Sequence, residues 1–155
     1  MTTARIAAWS AVPMRWYLGV LFIGACIHKI SDPASFALDI ATYDILPLAA
    51  INLVAITLPW IELFTGVMLI IGWRARSASL LVAAMMFVFL AALSIALSRG
   101  LDMSCGCFAA QGAEDDPISR MTLLRDVAWL SLALFVFSFD RGLAGLDRWI
   151  ERRHP

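Results

Sequence analysis

Residues 77–98 form a run of 22 positions without a charged side chain. At about 1.5 Å per helical residue the run reaches about 33 Å, enough to cross the hydrocarbon core of a bilayer. Three further stretches share this character. Residues 9–30 are interrupted near their start by Pro13 and Arg15, residues 46–73 carry Glu62 as their one charge, and residues 121–139 hold Arg125 and Asp126 in their first turns. Apolar types make up 61% of the 155 residues and charged types 15%, which a water-soluble domain of this size has no interior to hide. The expectation is an all-α integral membrane four-helix bundle in a single domain, residues 1–155. A soluble enzyme, a disordered regulator and a DNA-binding module are excluded. Formal net charge is zero, from 12 basic and 12 acidic residues, and no basic block marks a nucleic-acid partner.

Details of the spans follow from the same reading. Arg5 followed by apolar residues superficially resembles a secretion signal, but the apolar run continues to Ile27, so a retained first span is expected. Arg15 lies near a span end, where a long side chain snorkels to the interface. The second span has 28 residues and exceeds the need, so it tilts, kinks at Pro59 or opens with an interfacial turn. Gly66 and Gly72 on it suit close helix packing. Between the first two spans, Asp32 and Pro33 read as a helix N-cap and first position, with Phe36, Ile40 and Tyr43 giving a short interfacial helix one apolar face. Residues 141–153 place Leu143, Leu146, Trp149 and Ile150 among arginines, the pattern of an amphipathic tail on the inner surface.

Basic residues set the expected orientation. Arg5, Arg15, Arg74, Arg76, Arg141, Arg148, Arg152 and Arg153 fall on one side, whereas Lys29, Arg99, Arg120 and Arg125 fall on the other. The positive-inside rule then puts both termini in the cytoplasm and the loop 99–120 outside. That loop holds the acidic run Glu114, Asp115, Asp116 and, before it, Ser104, Cys105, Gly106, Cys107, Phe108. Thiols two positions apart close into a strained ring, which favours exchange over a permanent staple, and the outer face is where disulfides persist in bacteria. A structural disulfide and metal binding are the alternatives.

Cys26, two residues before His28, reads as a buried small side chain or as a resolving thiol beneath the loop pair. Together Cys26, His28, Cys105 and Cys107 match no zinc spacing, and no metal site is assigned; copper thiolate chemistry is the less easily dismissed form. Glu62 is a functional candidate by its place in the membrane, either clamped to Lys29 or Arg125 or relaying protons. Arg125 and Asp126 organise the cysteine loop from below, and their adjacency prevents both from pointing inward.

Taken in order, His28, Lys29, Ile30, Asp32, Pro33 and Phe36, then Pro47, then Pro59, Trp60, Ile61, Glu62, Leu63, Gly66 and Gly72, then Cys105, Gly106, Cys107 and Phe108, then Leu124, Arg125 and Asp126 resemble the MauE-like branch of the DoxX-like superfamily. The resemblance covers nearly the whole chain; Ala109 departs from it where glycine usually follows the phenylalanine. It implies an inner-membrane bundle associated with maturation or disulfide handling of exported periplasmic proteins, among them a disulfide-rich methylamine dehydrogenase subunit. The expected function is thiol/disulfide exchange at Cys105 and Cys107 with a periplasmic thioredoxin-like protein or an exported client, coupled to quinone as the one cofactor candidate. Glu62 or Arg125 would aid proton transfer, although no quinone-binding motif is legible. The competing reading is a non-enzymatic assembly subunit of a larger membrane complex, docked through the acidic loop. A transporter is disfavoured because four spans leave little room for a solvated path and show no internal repeat.

Overall fold

A computed structural model describes residues 3–101 and 120–147. Cys105, Cys107 and the tail beyond residue 147 lie outside the described residues. The described chain forms five helices, α1 (Thr3–Ser31), α2 (Pro33–Thr42), α3 (Leu48–Ile71), α4 (Ala75–Ser98) and α5 (Arg120–Phe139). Four of them, all but α2, are long and apolar enough to cross a membrane. The molecule is therefore an all-α four-helix membrane bundle.

Its surface is the inverse of a soluble protein's. Val20, Phe64, Phe87, Val88 and Leu124 all stand outward, as expected where lipid is the solvent. The interior is thin and made largely of small residues: Leu18, Phe22, Leu69, Ala78, Val82, Ala83, Met86, Ala133 and Val136 form its core. α1 packs along α3 and α5, α4 along α5 and α3, and α2 lies against α3. Where α1 meets α3 the backbones nearly touch. A Cβ on Gly19 would sit 2.8 Å from the carbonyl oxygen of Gly66, and one on Gly66 would sit 3.0 Å from that of Gly19. Without a hydrophobic force between helices in lipid, such dispersion contact is a main source of association, and only glycine permits it here.

The ends of the elements follow local chemistry. Asp32 caps α2 by accepting from the Ser35 N–H at 3.0 Å, with Pro33 at the first position, as its sequence predicts. The second span's excess length resolves into a 24-residue helix entered from extended Pro47 and stopped by Gly72 in the left-handed region at φ 67. A Cβ on Gly72 would also fall 2.8 Å from Arg15 Nη2.

Arg15 corrects an expectation. It does not snorkel: it is wholly buried, donating from Nη1 to Asp140 Oδ2 at 3.1 Å and from Nη2 to the Ala144 carbonyl at 3.2 Å. The physical reason is that Asp140, just beyond α5, brings a countercharge into the bundle, so the guanidinium has no need to reach water. The Gly142 N–H holds the other Asp140 oxygen at 2.7 Å. Together with the Asp147 carboxylate, which accepts from the Arg74 N–H at 2.8 Å, this ties the α3–α4 turn and the middle of α1 to the chain after α5.

Candidate functional site

The opposite end of the bundle gathers the remaining intramembrane charges. Lys29 stands in the last turn of α1, and Glu62 faces it from the middle of α3. Both are largely buried. Lys29 Nζ donates to Glu62 Oε1 at 2.8 Å and to Oε2 at 2.9 Å, which engages both carboxylate oxygens at once. Its ammonium also lies 5.0 Å from the Phe36 ring centroid, a cation–π contact supplied by α2. Of the two partners considered for Glu62, the packing of α1 on α3 brings Lys29 and leaves Arg125 elsewhere.

These groups wall a cavity of about 540 Å³. Its lining is mostly apolar, with Phe22, Met85, Met86 and Phe89 prominent, and its charged contributors are Lys29, Glu62, Asp39 and Asp126. The four long helices and the short α2 all supply residues to it. Asp39, on α2 and outside the spans, has its carboxyl pushed above the ordinary range by burial, with Lys29 opposing the shift.

Asp126 and Arg125 diverge as their adjacency requires. Asp126 turns inward and is 1% exposed, while the Arg125 guanidinium stays at the periphery, 4.8 Å from the Trp129 ring centroid. Arg125 Nε reaches Asp126 Oδ1 only at 3.4 Å, and Asp126 Oδ2 has no hydrogen-bond partner among the described residues. Beyond Trp129, its indole N–H donates to the Tyr17 hydroxyl at 3.2 Å, joining α5 to α1.

The other candidates separate. Cys26 is wholly buried, and its thiol donates to the Ile23 carbonyl at 3.1 Å, the geometry of a small core side chain. His28 is exposed. Among the described residues no three His, Cys, Asp or Glu side chains converge as a metal site requires. Sequence reasoning passed over Asp39, although it stands one turn from Phe36 on the same face of α2. It also passed over Asp140, whose signal is an acid directly after the last residue of a span.

A membrane-spanning bundle that encloses an apolar cavity beside a buried Lys–Glu pair is a class of integral membrane protein rather than one activity. The family is narrower: residues 5–139 match the family model described as methylamine utilisation protein MauE, and the chain belongs to that family. It is 32% identical over 124 residues to methylamine utilization protein MauE of Paracoccus denitrificans, an alignment covering 79% of this chain and 66% of the relative. The chain thus spans about two thirds of the relative's length. No solved structure matches it.

Proposed function

We propose that this chain is an inner-membrane thiol/disulfide redox protein that assists oxidation or maturation of exported proteins. Its termini lie in the cytoplasm and its Cys105–Cys107 loop faces the periplasm, a reading supported by the eight basic residues on the terminal side against four on the other. A thiolate of a client or of a thioredoxin-like carrier attacks the Cys105–Cys107 disulfide and forms a mixed disulfide. A second client thiolate resolves it, so the client loses two electrons and two protons and gains its disulfide, and the two cysteines become a dithiol. Reoxidation of the dithiol must remove two electrons and two protons; a quinone held beside Lys29, Glu62 and Asp126 would supply the acceptor chemistry for this. The relative is a methylamine utilization protein, which makes an exported protein of that metabolism the first client to test.

One observation carries this reading. The cavity with Lys29, Glu62 and Asp126 on its wall lies in the half of the bundle where α4 ends and α5 begins, the end from which the cysteine-bearing segment leaves. An ionisable pair held inside a bilayer at that position suits proton handling beside a redox pair. Replacing Cys107 with serine tests it: no Cys105–Cys107 disulfide can form, so the client should accumulate as free thiols. Normal client oxidation in that variant would rule the mechanism out.

A further inference from the structure

The end of the bundle away from the Lys29–Glu62 pair carries charge that the redox reading does not use. There the α3–α4 turn and the chain after α5 enclose an open cleft of about 550 Å³, with Trp73, Arg74, Arg76, Asp140, Arg141 and Asp147 in its lining. Both carboxylates are already engaged: Asp140 by Arg15 at 3.1 Å and by the Gly142 N–H, and Asp147 by the Arg74 N–H at 2.8 Å. Counting Arg15 behind the cleft, four guanidinium groups stand against two carboxylates, so the site is positive. Arg74 and Arg141 are exposed and form no ion pair among the described residues. Arg76 is fixed against the end of α5, its Nε donating to the Phe137 carbonyl at 3.0 Å and its guanidinium 5.5 Å from the Phe137 ring centroid, which leaves its terminal nitrogens to donate elsewhere.

The cleft has a fixed shape. Arg74 stands at φ 45, in the left-handed region that a residue with a Cβ rarely adopts, and it persists there because its surroundings over-determine it. The Asp147 carboxylate holds the Arg74 N–H, and the Asp147 N–H donates to the Gly72 carbonyl at 3.2 Å. Depth then selects the ligand's source. α3 ends at Ile71, α4 begins at Ala75 and α5 ends at Phe139, so the cleft opens where the membrane-crossing segments stop. Trp73 and Phe139 stand partly exposed at the same level, and aromatic residues of this kind mark headgroup depth. Lipid phosphates lie at that depth, and a guanidinium matches phosphate with paired N–H donors. A zwitterionic headgroup would press its own cation against the arginines, whereas an anionic one brings none.

We propose that this cleft binds the phosphodiester headgroup of an anionic phospholipid, held by Arg74, Arg76 and Arg141. The site uses neither the cysteines nor the Lys29–Glu62 cavity, so it stands or falls apart from the thiol mechanism. A lipid seated there bridges the α3–α4 turn and the chain after α5, the two segments that the Asp147 contacts already join.

The test is native mass spectrometry of the full chain released from detergent micelles, titrated with phosphatidylglycerol or with phosphatidylcholine of the same acyl chains. The wild type should bind one phosphatidylglycerol about tenfold or more tighter than phosphatidylcholine, since each arginine near the headgroup contributes about fivefold. The double variant Arg74→Gln, Arg141→Gln should lower the phosphatidylglycerol affinity about tenfold or more and leave that for phosphatidylcholine near the wild type. Arg141→Gln alone should cost about fivefold, which keeps the site testable if the change at residue 74 disturbs the turn. Arg5→Gln, exposed at the same end of the bundle but outside the cleft, should keep the wild-type preference and so separates the cleft from net charge. Glycerol 3-phosphate, which has the phosphate without the acyl chains, should not displace the lipid at equal concentration. Equal affinities for the two lipids in the wild type, as when Glu151 of the chain's own tail occupies the arginines, would overturn the proposal. So would a loss in Arg5→Gln as large as in the double variant, or displacement by glycerol 3-phosphate, which would make the site one for a free anion.

Discussion

At the residue scale the molecule is governed by two buried ion pairs of opposite legibility. Lys29 and Glu62 share two hydrogen bonds in an apolar surround, so neither can lose its partner cheaply. Removing one member of a buried pair costs about 3–5 kcal/mol because the survivor is left uncompensated, whereas replacing both with apolar residues costs far less. Lys29→Met alone and Glu62→Leu alone should each destabilise the bundle by about that amount, and the double variant should be more stable than either single one. Reversible unfolding in mixed micelles measures this; strictly additive losses would show that the pair carries no coupling. The Glu62 side chain was legible from sequence as a functional candidate because one charge stood in 28 residues, and its partner was narrowed to two cations. Arg15 was misread because its partner, Asp140, lies 125 positions away, a distance at which no periodicity reports contact.

At the element scale, what was legible was what depends on local chemistry. The Asp32–Pro33 start of α2 is a capping signal that needs no tertiary partner, and Gly72 stops α3 through its own backbone preference. The line where α1 crosses α3 is different. Gly66 stood out within its span, but Gly19, which meets it, becomes significant only once the two helices are laid together. Gly19→Val should push the helices apart, since its side chain would meet Ile70 and the Gly66 carbonyl, and cost about 1–3 kcal/mol as overpacking does. Gly24→Val, with nothing near its Cβ, is the control and should leave the unfolding midpoint close to wild type. Equal losses at both positions would mean that β-branching in the helix, not the crossing, sets the effect.

At the scale of the whole molecule the bundle has two unlike ends. One is latched by Arg15, Asp140, Asp147 and the turn after α3; the other holds the cavity and releases the chain that carries Cys105 and Cys107. The proposed orientation puts the second end outside. A membrane-impermeant maleimide added to intact, reductant-treated cells should modify Cys105 and Cys107 and spare buried Cys26. Labelling that requires permeabilised membranes would reverse the orientation. The four spans were visible in the sequence because long apolar runs define them despite isolated charges, but the cavity was not, since five helices build it and only their packing brings Asp39 and Asp126 to its lining.

The most direct test of the central claim is the redox state of Cys105 and Cys107 in intact membranes, read by acid quenching, differential alkylation and peptide mass analysis across imposed potentials. One reversible transition is expected in which both residues change together, with the two-electron slope of about 30 mV per decade, at potentials within reach of the periplasm. Cysteines that stay oxidised across the whole accessible range, as a structural staple would, or that stay free throughout, would contradict it.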